Sequence, residues 1–159
     1  MLSKQHKCTV ISISSRVRQY ANATMWYWRY IAAWYTKYCL SLSGGWLRAG
    51  REALRLCSST KGVRVVNVLV TATQLIPAFA KLLLYRLSGF FPPQFVYSAS
   101  HTPKLECFKS IVKKFSTSTD LPVEFVVIGD GAEEERASQA LKVKFISVQK
   151  VSDLHNIDT

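Results

Sequence analysis

The sequence predicts an α/β fold built on a parallel sheet, and three features predict it. From Lys61 onward, β-branched apolar runs alternate with stretches of helical period, the pattern of strands joined by helical crossovers. The run Phe125-Val-Val-Ile128 is continuous rather than alternating, as in a strand covered on both faces. It stops at Gly129-Asp130-Gly131 and is followed by Glu133, Glu134 and Glu135 in the first turn of a predicted helix. Glycines let the chain turn sharply at a strand's carboxyl end, where open α/β sheets place their ligand sites. An acid backed by further acids suits a hard cation such as Mg²⁺, which prefers carboxylate and water oxygens. The same residues also suit a helix cap and a helix dipole.

The elements follow in order. Residues 1–24 form an atypical basic segment in which residues 9–13 suit a short strand. No acid appears before Glu52, so this stretch has the composition of a mitochondrial presequence or of a non-native start. Residues 25–60 form a helical segment. Within it Tyr27, Tyr30, Trp34 and Tyr38 recur at helical spacing over 25–38, and a second helix is predicted over 46–57. Residues 61–159 form the core, with strands over 63–70, 94–97, 124–128 and 144–148 and helices over 74–87, 102–115 and 133–141. Pro77 is tolerable only near a first turn. Thr102 and Pro103 read as cap and first helical position.

Composition narrows the class. Nearly half of the 159 residues are apolar and 19% are charged, enough to bury a core. Residues 1–119 hold 17 Lys and Arg against Glu52 and Glu106, a net charge of +15, whereas residues 120–159 are net −4. The basic part suits an anionic partner or a solvated face. Cys8, Cys39, Cys57 and Cys107 lack metal-type spacing and His6, His101 and His155 are scattered, so free thiols and no zinc site are expected. The charge-free stretch 65–80 contains Asn67, Gln74 and Pro77 and suits a core better than a membrane span.

Each predicted strand ends in a residue suited to phosphate chemistry. Thr71 and Thr73 offer hydroxyls to a phosphate oxygen. Lys104 lies in a helix first turn, where a cation opposes the dipole and so signals an anion nearby. Asp130 completes a set at three successive strand ends, a phosphoryl-transfer constellation.

These residues also carry a resemblance. Asn67-Val-Leu-Val-Thr-Ala-Thr-Gln-Leu-Ile-Pro-Ala-Phe-Ala-Lys-Leu-Leu-Leu-Tyr85, Val96-Tyr-Ser-Ala99, Lys104-Leu-Glu-Cys-Phe108 and Val126-Val-Ile-Gly-Asp-Gly-Ala-Glu-Glu-Glu135 resemble the Eyes absent family. That family belongs to the haloacid-dehalogenase superfamily of aspartate-based phosphatases. The likeness runs from about residue 46 to 154, and 30–38 resembles the family's helical insertion. It implies a Rossmann-like sheet and a Mg²⁺-dependent protein tyrosine phosphatase acting on phosphotyrosine proteins. It further implies a transcriptional coactivator with a homeodomain partner, in nucleus and cytoplasm, with no direct nucleic-acid or membrane role. By that resemblance Lys104 balances charge on nucleophile and phosphate, and Asp130 holds Mg²⁺. Glu134 orients a metal-bound water, and the phosphate-binding hydroxyl belongs to a Thr pair where this chain has Thr71 and Ala72.

The family's chemistry starts from an Asp-x-Asp-x-Thr block on the first strand. Its first aspartate attacks phosphorus and its second protonates the leaving group. This chain has no aspartate before Asp120. It therefore reads as a truncated, inactive phosphatase domain or as a non-catalytic pseudoenzyme or interaction module. The expected sheet is incomplete, with a central slot open to residues 8–14, to direct pairing of its neighbours or to a partner chain. One alignment sets Val10-Ile-Ser12-Ile-Ser14 in that slot, with serines in place of both carboxylates.

Overall fold

A computed structural model describes residues 5–12 (by their backbone pairing), 43–60, 62–117 and 122–157. Five strands make one sheet: β1 (Gln5–Ser12), β2 (Val63–Thr71), β3 (Val96–Ser98), β4 (Val123–Gly129) and β5 (Lys144–Ser147). Their order is β3-β2-β1-β4-β5, and every pairing is parallel. Among the described residues four helices accompany them: α1 (Trp46–Ser58), α2 (Leu75–Leu84), α3 (Lys104–Thr117) and α4 (Ala132–Leu141). Short 3-10 turns cover Pro93–Phe95 and Val151–Asn156.

The parallel α/β architecture is as expected, and of the three ways to fill the central slot the amino-terminal segment does so, over Gln5–Ser12 rather than 8–14. Gln5–Ser12 lies between β2 and β4, its eight residues all pairing with β2 and six of them also with β4. The physical reason is the demand of the flanking strands. Each carries an inward row of backbone donors and acceptors that burial would orphan, and a third strand satisfies both rows at once. The strand begins four residues before the predicted Thr9 and ends at Ser12. The predicted helix over 25–38 falls outside the described residues.

Side chains on β2 and β4 alternate between two cores, as the period of two requires. Val68 and Val70 of β2 and Val127 of β4 pack with Cys107, Phe108 and Ile111 of α3 and Ala137 of α4. Leu69 faces the other way, into a cluster with Leu54 of α1, Leu82 of α2, Leu87, Phe91 and Val96. Val126 and Ile128 join Val148 and, at its edge, Leu154 and Ile157. Helices therefore cover both faces, which is why these strands read as continuous apolar runs. Complete burial of Ile111 and Val68 is worth roughly 1.5–3 kcal/mol each relative to exposure.

Element boundaries moved where local chemistry intervened. Pro77 occupies the third position of α2, within the first turn that its missing N–H requires. That helix closes at Leu84, three residues early, because Arg86 takes a left-handed conformation at φ 52°. The predicted strand over 94–97 becomes a 3-10 turn and a three-residue strand, since Pro93 starts the turn. Lys104 opens α3, with the Pro103 carbonyl accepting from the N–H groups of Glu106 and Cys107. Ile76 and Leu83 leave the outer side of α2 apolar and exposed. No described helix is long and apolar enough to cross a membrane.

Candidate active site

All five strands run the same way, so their carboxyl ends share one edge of the sheet. Register fixes what meets there. Ser12 pairs with Val70, and Ile11 pairs with Ile128, so Thr71 and Asp130 each lie just beyond the end of β1, on opposite sides of it. Two strand spacings separate them, about 10 Å. Ser12 ends the described part of β1 between them. Ser12 is the position that alignment gives to the nucleophile, and Ser14 falls outside the described residues.

The β2–β3 side of this edge is built from hydroxyls. Thr71 is buried, and its Oγ1 accepts the Thr73 N–H at 3.1 Å, which bends the chain away from the strand. The hydroxyl keeps its own proton for a further acceptor. Ser98 Oγ donates to the Thr73 carbonyl at 2.9 Å and lies 2.9 Å from Ser100 Oγ. Ala99 N–H donates to the Thr71 carbonyl, tying the ends of β2 and β3 together. Between the start of α2 (Gln74 to Ile76) and Ser98, Ser100, His101 and Thr102 runs an open cleft of about 540 Å³. Sequence reasoning passed over these serines; the hydroxyl run Ser98-Ala-Ser100-His-Thr102 was the available signal.

The β4 side is charged. Helix α3 crosses from β3 to β4 and packs beside α4 on the same face, which brings their first turns together. Lys104 Nζ is paired with Glu134 Oε1 and lies 3.5 Å from Glu133 Oε2. Its backbone N–H donates to Glu133 Oε1 at 3.4 Å. The Glu134 side chain is 3% exposed, Lys104 13% and Glu133 60%. Lys104 thus does have an anion that offsets its unfavourable helix position, and that anion belongs to the protein.

Two glycines make room for Glu134. A Cβ on Gly131 would collide with Glu134 Oε2, and one on Gly129 would lie 3.1 Å from Glu134 Cγ. Gly131 has φ −110° and ψ 149°, open to any residue, so close approach rather than conformational freedom is its reason. Asp130 is partly exposed beside them, and its carbonyl accepts from Gln149 Nε2 at 2.9 Å. Gln149 carried no signal in the sequence. Burial, together with the charges of Glu106 and Glu133, pushes the Cys107 thiol up, so it stays protonated. Backbone N–H groups of Lys150 and Gln149 hold the Asp153 carboxyl below its usual range, with Ser152 adding to them against a small opposing effect of burial.

The residues present do not by themselves fit Mg²⁺. The ion needs several oxygen ligands in an octahedral shell, and among the described residues no three metal-ligating side chains converge. Glu134, expected to orient a metal-bound water, has its carboxylate on Lys104. Asp130 is a partly exposed residue at the strand end. The carboxyl edge thus carries the Thr71 hydroxyl on the β2 side of β1 and the Lys104 ammonium, paired with Glu134, on the β4 side.

No family model matches this chain. Individual proteins do. "Protein phosphatase EYA1" of Mus musculus is 43% identical over 114 residues, 72% of this chain. "Protein phosphatase eya" of Drosophila melanogaster is 38% identical over 114 residues, also 72% of the chain. "Protein phosphatase EYA" of Arabidopsis thaliana is 36% identical over 119 residues, 68% of the chain. The chain spans 18% of the mouse protein, 14% of the fly protein and 38% of the plant protein. Identity of this order over more than two-thirds of the chain, with relatives from animals and from a plant, places it in the Eyes absent family of protein phosphatases.

Proposed function

We propose that this chain is a phosphate-recognising domain with a Rossmann-like sheet of the haloacid-dehalogenase type, and that as its sequence stands it does not hydrolyse phosphate esters. The observation that carries this reading is the identity of the central strand. Gln5–Ser12 fills the slot between β2 and β4, and neither it nor the residues after it, as far as Pro103, include an aspartate. An aspartyl-phosphate needs a carboxylate at the carboxyl end of that strand, in line with phosphorus. A serine hydroxyl there is a poor nucleophile without an adjacent base.

What remains is recognition. Lys104 supplies a positive charge at the β4 end, and Thr71 supplies a hydroxyl proton at the β2 end. Together they favour a phosphate dianion held over β1. Mg²⁺ dependence, phosphotyrosine proteins as ligands, coactivation with a homeodomain partner and a nuclear and cytoplasmic location rest on the family resemblance. A non-catalytic interaction module is the second reading, favoured by the same missing carboxylates.

The test is a phosphatase assay on the purified chain with p-nitrophenyl phosphate and Mg²⁺. The expected result is no turnover above buffer. Turnover that disappears in Asp130→Asn would sink the proposal. In parallel, Ser12→Asp combined with Ser14→Asp should restore measurable hydrolysis if that alignment of the central strand is right.

A further inference from the structure

Lys104 is a cation at the carboxyl edge of the sheet, and it already faces two carboxylates. We infer that Glu134 is an internal counter-anion that positions the Lys104 ammonium and competes with an incoming phosphate for it. The inference rests on the reading of Lys104 as the cation of a phosphate site, and concerns what that site contains when no ligand is bound.

Three observations carry it. The Lys104 ammonium is paired with one carboxylate and lies 3.5 Å from a second, so in the unliganded state its charge is already engaged. The two glutamates are unequal, since Glu133 is largely solvated and screened whereas Glu134 is nearly buried. And the seat of Glu134 is shaped for it: Gly129 and Gly131 both lie where any side chain would press on its Cγ or carboxylate. A carboxylate seated this closely holds the ammonium at the end of β4. A phosphate reaching Lys104 must therefore displace that carboxylate or bind against its charge.

Glu134 is accordingly a positioning residue, and its removal has a sign that damage cannot imitate. In Glu134→Gln the amide oxygen still accepts from the ammonium, but the competing charge is gone. Titration of the full chain with inorganic phosphate, in buffer free of divalent ions, should show binding about tenfold tighter than wild type, because loss of a neighbouring like charge at low local dielectric is worth roughly one decade. The gain should shrink in about 1 M salt, where screening reaches about 3 Å. It should vanish when Lys104→Met is added. Glu133→Gln should change affinity less than about twofold, as for a screened surface charge.

Equal affinity in wild type and Glu134→Gln, with Lys104→Met abolishing binding in both, overturns the inference and leaves the phosphate site standing. Phosphate binding that survives Lys104→Met overturns the site and the inference together. If Glu134→Gln fails to fold, NMR on wild type decides. The Glu134 side-chain carboxyl carbon and the Lys104 side chain should shift together, with one phosphate midpoint. A Glu134 resonance that does not move overturns the inference.

Discussion

The two halves of the sheet's carboxyl edge are built on different physics. At the β2–β3 end, Thr71, Thr73, Ser98 and Ser100 are linked through neutral hydrogen bonds of 2.9 to 3.1 Å. At the β4 end, Lys104, Glu133 and Glu134 hold charge at the junction of two helices, one carboxylate almost fully out of water. A neutral hydroxyl network loses about 1 kcal/mol per bond when cut. A buried ion pair loses more, because the partner left behind is an uncompensated charge. The hydroxyl end should therefore tolerate substitution, and the charged end should not.

The largest effect should come from Lys104→Met. Glu134 would keep its burial and lose its cation, costing about 3–5 kcal/mol in urea unfolding. A loss under about 1 kcal/mol would mean that the pair behaves as a surface contact and that the contrast between the two ends is false. Adding Glu134→Gln to Lys104→Met should recover much of the loss, since the orphaned charge goes too. Gly131→Ala comes next. Its methyl group meets the Glu134 carboxylate, and the side chain must shift within a filled site, for about 1–2 kcal/mol. Its thermal midpoint should fall, whereas that of Gly50→Ala should rise, because a Cβ at Gly50 meets nothing within 4 Å and alanine is favoured by about 1 kcal/mol inside a helix. Thr71→Val keeps shape and removes the acceptor for the Thr73 N–H, for about 1 kcal/mol by denaturant midpoint.

The smallest effect concerns pH. The folded state depresses the Asp153 pKa, so its contribution is complete above the ordinary value of 3.8 and is lost as pH falls through the folded value. Hydrogen exchange at Gln149 and Lys150, whose N–H groups both reach Asp153 Oδ2 at 2.8 Å, should quicken in that acidic window. Exchange that stays flat down to the acid transition of the whole domain would contradict the assignment.

Much of the fold was legible in the sequence for local reasons. β2 and β4 are β-branched runs with an apolar residue at nearly every position, because helices cover both faces. The helical spacing of Leu105, Phe108, Ile111, Val112 and Phe115 marks the face of α3 that packs on the sheet. Phe108 and Ile111 are buried there and Leu105 and Phe115 pack at the edge, while the buried Cys107 lies outside that stripe. β1 was not legible in the same way. Gln5-His-Lys-Cys-Thr9 has no continuous apolar signal, and its place follows from unpaired backbone on both neighbours rather than from its own residues. The site shows the same division. The anion signalled by a lysine in a helix first turn was anticipated, but it was read as a ligand and proves to include Glu134, thirty residues along the chain.

By itself, the sequence determined the strand–helix alternation, the turn at Gly129-Asp130-Gly131, the residue types at three strand ends and the absence of aspartate before Asp120. These are properties of local pattern and composition. Only the tertiary structure decided that Gln5–Ser12 pairs between β2 and β4, that Ser12 ends between Thr71 and Asp130, and that Lys104 is held by Glu134. Strand order and helix crossover are global, and they bring together residues whose separation in sequence carries no trace of their contact.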